Sequence, residues 1–110
     1  MDNCIFCKIR DGEIPSQKIY EDDDFFIISD VNPKAKKHFL AIPKNHYALL
    51  SEQNGEDTVI LGKILNTIPK LAGQLGIVNG YRLIINQGED GRQAVKHLHV
   101  HILGGEKLPD

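Results

Sequence analysis

Seven residues near the end of the chain, His97-Leu98-His99-Val100-His101-Ile102-Leu103, alternate polar and apolar as far as Ile102. Successive side chains of a β-strand point to opposite faces, so His97, His99 and His101 share one face. Leu98, Val100 and Ile102 share the other. Strand rise spaces the imidazoles about 7 Å apart. The apolar face must be covered, so the chain needs further strands and a packing layer. The bland reading is an amphipathic strand with three unrelated surface histidines. Against it, three of the five histidines in 110 residues fall within these five positions. The expectation is three imidazoles in a row on an open face.

The remaining sequence supplies partners for that strand. Cys4 to Arg10 reads as one or two helical turns ended by Asp11-Gly12, and Lys18 to Glu21 as a short strand. Phe25-Phe26-Ile27-Ile28-Ser29 is a β-favouring run. His38 to Pro43 is a strand stopped by its proline. Val59, Ile60, Ile64, Leu65, Ile68, Leu71, Ala72 and Leu75 recur at helical spacing after the polar stretch Ser51 to Asp57. Gly76 is a helix stop, and Pro69 must bend or split the helix because it has no N–H to donate. Tyr81 to Asn86 is another strand, and Gly104-Gly105 ends the last. No repeat or linker interrupts the chain. The expectation is one α+β domain over residues 1–110: a roughly five-stranded antiparallel sheet, one main helix and a short N-terminal helix.

Two chemistries use imidazoles so arranged. His-x-His on a strand can place two ring nitrogens on one metal ion. Alternatively, a neutral imidazole is a good nucleophile near pH 7 and can take a phosphoryl or nucleotidyl group covalently. Flanking imidazoles then supply hydrogen bonds to the phosphoryl oxygens. The glycine-bearing loop Gln87 to Gln93 fits the second chemistry, because its backbone N–H groups can approach an anion. Net charge is −2, with no basic excess for binding nucleic acid. No run reaches the ~20 apolar residues of a membrane span, and Met1 to Arg10 lacks the pattern of a signal peptide. These features point to the cytoplasm, where Cys4-x-x-Cys7 reads as a metal site or redox pair before a disulfide.

The triad resembles the His-φ-His-φ-His-φ-φ signature of the histidine-triad nucleotide-binding proteins. The similarity extends through Cys4-Ile5-Phe6-Cys7, Gly12-Glu13-Ile14-Pro15, Asp30-Val31-Asn32-Pro33, His38-Phe39-Leu40-Ala41-Ile42-Pro43 and Asn86-Gln87-Gly88, in family order. Gly104-Gly105 resembles the phosphoramidase branch rather than the branch that cleaves diadenosine polyphosphates. The resemblance implies a HIT-like fold with His99 as the residue that carries a nucleotidyl intermediate. It implies that the backbone of His97 sets the tautomer of His99 and that His101 contacts the phosphate. His38 takes the place of a fourth, upstream histidine. Asp30, Asn86 and Gln93 fall at nucleotide-binding positions, Asp30 on the ribose hydroxyls. Phe6, Ile9, Phe26, Ile28 and Val31 are candidates for the base wall.

The same resemblance implies a structural zinc on Cys4, Cys7, His46 and His97, with no metal needed for catalysis. It implies a twofold homodimer, with the main helix and the strand from Tyr81 to Gln87 as candidate contacts. Two positions depart from the phosphoramidase pattern: Ala94 replaces a serine and Arg92 a glycine. The activity so implied is hydrolysis of purine nucleoside 5′-phosphoramidates. The alternatives are a dinucleoside polyphosphate hydrolase, a non-catalytic nucleotide-binding regulator, and a hydrolase with zinc on the triad itself.

Overall fold

The computed structural model describes residues 3–110; Met1 and Asp2, part of the stretch expected to carry no leader, lie outside the described residues. Asp22 starts the sheet. Its Oδ1 accepts the N–H of Asp24 and of Phe25, at 2.8 and 3.1 Å, and folds β1 (Tyr20–Glu21) back on β2 (Phe25–Ser29). With β3 (Lys37–Pro43), β4 (Tyr81–Ile84) and β5 (Val100–Gly104) these form one sheet in the order β1-β2-β3-β5-β4. Every neighbouring pair is antiparallel. The α+β, HIT-like arrangement expected from the sequence is the one found.

Alternation along β2, β3 and β5 sorts their side chains into two layers. Phe25, Ile27, Phe39, Ala41, Val100 and Ile102 face α2 (Gly55–Thr67) and pack on Ile60 and Ile64. Phe26, Ile28, Leu40 and Ile42 face the other way, beneath Phe6 and Ile9 of α1 (Ile5–Arg10). α2 starts where Asn54 and Asp57 cap each other, each side chain accepting the other's backbone N–H. Pro69 has the foreseen effect. α2 stops at Thr67, a 3₁₀ turn covers Ile68–Leu71, and α3 (Ala72–Leu75) ends at Gly76 with φ +75°. Among the described residues, no helix is long and apolar enough to cross a membrane.

Several strand ends differ from expectation. β5 begins at Val100, not His97. After Pro43 the chain turns off the ladder, and Leu98 N–H donates to the Tyr47 carbonyl at 2.7 Å instead. β4 stops at Ile84 rather than Asn86, and β3 gains Lys37. Gly104 closes β5 instead of following it. A Cβ there would lie 2.8 Å from Ile77 Cγ2, so the strand and the loop after α3 meet only over a bare backbone.

Candidate active site

The triad does not lie open. His97 is fully buried and His99 nearly so, because α1 crosses their face of the sheet. Phe6 meets both rings edge-on, with centroids 5.8 Å from His97 and 5.1 Å from His99. The His99 and His101 centroids are 4.9 Å apart. The expectation of an exposed face failed because strand periodicity does not show what crosses above it.

Backbone carbonyls fix the tautomers of the first two histidines. His99 donates its Nδ1–H to the His97 carbonyl at 2.8 Å, leaving Nε2 with a free lone pair. Burial lowers the pKa of His99 below 6.5, which keeps that lone pair unprotonated at neutral pH. His97 donates Nε2–H to the Pro43 carbonyl at 2.7 Å, so its lone pair is on Nδ1, facing away from His99.

A second chain of contacts orients His101. The backbone N–H of Lys34 donates to His38 Nδ1 at 3.0 Å. A neutral His38 therefore carries its hydrogen on Nε2, 2.9 Å from His101 Nδ1 and 3.4 Å from Asp30 Oδ2. Burial lowers the pKa of His38 and takes that of His101 to about 4, with His99 and His38 adding to the second shift. His101 is left with its hydrogen on Nε2, 3.3 Å from Asn86 Nδ2; both are N–H donors, so they do not bond to each other and both can serve one acceptor. The β3–β5 register arranges this by setting Leu40 opposite His101 and His38 two pairs along, on the same face. The involvement of Lys34 was not legible in the sequence, where it sits in a lysine-rich connection.

A cavity of about 370 Å³ opens over His99 and His101. Phe6, Ile9, Ile28 and Val31 line it, as do Asp30 and Asn86. Phe26, a fifth candidate for the wall, is fully buried below and does not reach it. Gln93 also stands apart. Its Oε1 accepts Gly88 N–H at 2.9 Å and its Nε2 donates to the Ala48 carbonyl at 2.8 Å, so its amide braces the loop and lines no part of this cavity.

Cys4, Cys7, His46 and His97 converge behind the triad, each offering one ligand atom within 4.8 Å of the others. The Nδ1 atoms of His46 and His97 are 3.2 Å apart, and sulfur–nitrogen separations run 3.3, 3.3 and 3.6 Å. A tetrahedron with Zn–S near 2.3 Å and Zn–N near 2.05 Å has edges of roughly 3.3 Å (N–N) and 3.6 Å (S–N). These four edges lie within about 0.3 Å of those of a zinc tetrahedron, so the donor set suits a zinc ion. Burial raises the pKa of Cys7 to about 11 and lowers that of His97 to about 4, so without a cation these two are uncharged. A divalent ion would reverse the balance for the thiols.

The HIT domain family model matches residues 11–108 of this chain. The chain belongs to the HIT family. Several solved HIT structures are similar over nearly all of this chain. A histidine triad protein from Clostridium difficile is 50% identical with a TM-score of 0.92, and the match covers 100% of this chain and 96% of that one. A HIT family hydrolase from Legionella pneumophila is 42% identical with a TM-score of 0.90, covering 97% and 96%. A zinc-bound histidine triad family protein from Mycobacterium smegmatis is 31% identical with a TM-score of 0.83, covering 96% and 77%. This HIT protein thus brings together, in two adjoining clusters, every site residue named from its sequence except Gln93 and Phe26.

Proposed function

We propose that this HIT protein hydrolyses nucleoside 5′-phosphoramidates, purine nucleotides foremost, through a nucleotidyl intermediate on His99. The observation that carries the reading is the bond from His99 Nδ1–H to the His97 carbonyl, which leaves Nε2 as an oriented, uncharged nucleophile. In the first step Nε2 forms a bond to phosphorus as the P–N bond breaks. The electron pair leaves with the amine nitrogen, which takes a proton from solvent. Water then attacks phosphorus and gives up a proton, and the P–Nε2 bond electrons return to the ring, releasing the nucleoside monophosphate. His101 Nε2–H is the donor to the phosphoryl oxygens, held in place by His38. Asp30 accepts from the ribose hydroxyls, Asn86 contacts the phosphate or ribose, and the apolar cavity wall takes the base.

The same reading gives Cys4, Cys7, His46 and His97 a structural zinc, with Gln93 acting on the nucleotide only through its loop. The donor geometry supports this, and the zinc-bound Mycobacterium relative is consistent with it. Hydrolysis by zinc on the triad has less support, because His97 Nδ1 turns to the cysteines and His99 Nδ1 is already bonded. A cytoplasmic homodimer completes the reading; exposed Val59 on α2 and Leu83 on β4 are the apolar surface in its favour. The deciding assay is AMP release from an adenosine 5′-phosphoramidate, beside His99→Ala and after chelation. Turnover lost in His99→Ala, with an AMP adduct trapped by acid quench in the wild type, supports the reading. AMP binding without release from the phosphoramidate overturns it in favour of a nucleotide-binding regulator. Turnover that dies with chelation and returns with zinc favours metal hydrolysis.

A further inference from the structure

A second cavity, about 430 Å³, adjoins the one over His99. The two share Asp30, Lys34, Asn86, Arg92 and His101, but His99 lines only the first. Their walls differ in kind. The first has Phe6, Ile9 and Ile28, a platform for a flat base; the second has no phenyl ring and sets His38 and the Gly91 backbone beside Ile84 and Leu103. In-line displacement sends the leaving group away from the attacking atom. It therefore departs from His99 past His101, toward the compartment that His99 does not line.

The charges at this junction are unbalanced. Lys34 and Arg92 are the two cations, and Asp30 is the only carboxylate lining either cavity. Asp30 faces its own loop and His38 rather than either cation: Oδ1 accepts the N–H of Asn32 at 2.8 Å and Oδ2 lies 3.4 Å from His38 Nε2. Among the described residues, neither cation forms an ion pair. Arg92 is also the one non-glycine residue there with positive φ, at +60°. That backbone suits glycine, and a side chain held there against its preference in a cavity wall suggests a functional demand.

We propose that the second cavity is the leaving-group compartment, and that Arg92 with Lys34 selects leaving groups bearing an anionic oxygen group, a carboxylate or a phosphate. The proposal rests on the hydrolase reading above and specifies what lies beyond the scissile bond. Arg92 supplies a planar fork for a carboxylate or phosphate, and Lys34 a point charge.

The test uses the full chain with three adenosine substrates: the phosphoramidate of ethylamine, that of glycine, and diadenosine triphosphate. For each, kcat/KM is measured, and Kd by displacement of a fluorescent AMP analogue. The wild type should prefer the glycine adduct to the ethylamine adduct by about tenfold, the scale of one charge-assisted contact. Arg92→Gln should bring the ratio close to one, and Arg92→Lys should restore part of it. Arg92→Gly relieves the backbone, so loss of selection without loss of thermal stability separates a binding role from a structural one. Selection confined to diadenosine triphosphate, and lost with Arg92, identifies the anion as a phosphate. If no substrate is turned over, the hydrolase reading fails, while the Kd ratios still decide whether Arg92 selects anions. A glycine-to-ethylamine ratio and a triphosphate affinity that are the same in wild type and Arg92→Gln overturn the proposal.

Discussion

Acid should destabilise this protein well before its carboxylates titrate, and His101 makes that testable. Burial, with His99 and His38 beside it, takes the pKa of folded His101 to about 4, against 6.5 for the free side chain. The folded value is the lower one, so the unfolded chain takes up the proton first as pH falls. The contribution of a neutral His101 is therefore complete above pH ~6.5 and is lost progressively down to pH ~4. One pKa unit corresponds to about 1.4 kcal/mol, so the loss between pH 7 and pH 5 is up to about 2 kcal/mol from this residue. Urea unfolding of wild type and His101→Gln at pH 7, 6 and 5 measures it. The wild type should lose up to about 2 kcal/mol more than the variant over that range. His97 is present in both proteins and cancels in the difference, whereas His38 and His99 touch His101, so the difference reports the three-imidazole group. Glu21, Asp22 and Glu52, whose pKa values are lowered, contribute only at still lower pH. Parallel pH dependences would refute the claim that the fold keeps His101 uncharged.

Three further outcomes are expected. Chelation should lower the unfolding temperature, by an amount set by mass action and near 4 kcal/mol at a free metal level a thousandfold above Kd; Cys7→Ser should abolish the response, as read by thermal scans with and without added zinc. Gly104→Ala puts a methyl group 2.8 Å from Ile77 Cγ2 and should cost about 1–3 kcal/mol in urea unfolding. Asn54→Ala removes one half of the α2 cap and should cost about 1 kcal/mol, with AMP affinity by calorimetry unchanged because the cap lies outside the cavity.

Local physics made most of the architecture legible. Two-residue alternation gave the strands and their faces, and Pro69 split the helix where its missing N–H required. The spacing of Cys4 and Cys7, joined by the resemblance to His46 and His97, foretold a quartet that comes together across 93 residues. Contacts with no local signature were not legible. β5 starts late because Leu98 pairs with Tyr47, a partner that only the turn after Pro43 brings near. The triad is buried because Phe6 lies across it, although Phe6 between the two cysteines was a signal that α1 would sit there. Gln93 has a nucleotide-site position in sequence, yet Gly88 and Ala48 occupy its amide. Lys34 acts on His38 through a backbone N–H, which no side-chain identity encodes.

The pairing of β3 with β5 has one more consequence. It sets Leu40 against His101 and Ala41 against Val100. A slip by a single residue would turn His101 toward α2 and present Val100 to the cavity. Such a slipped molecule would keep nearly all its strand content and scatter light and absorb much as the native one does, yet carry no oriented His101 at the cavity, where the proposed reaction needs it. Specific turnover in a refolded sample would therefore count molecules in register, a quantity that far-ultraviolet spectra do not distinguish. Chemistry at His99 would serve as a gauge of alignment between two strands.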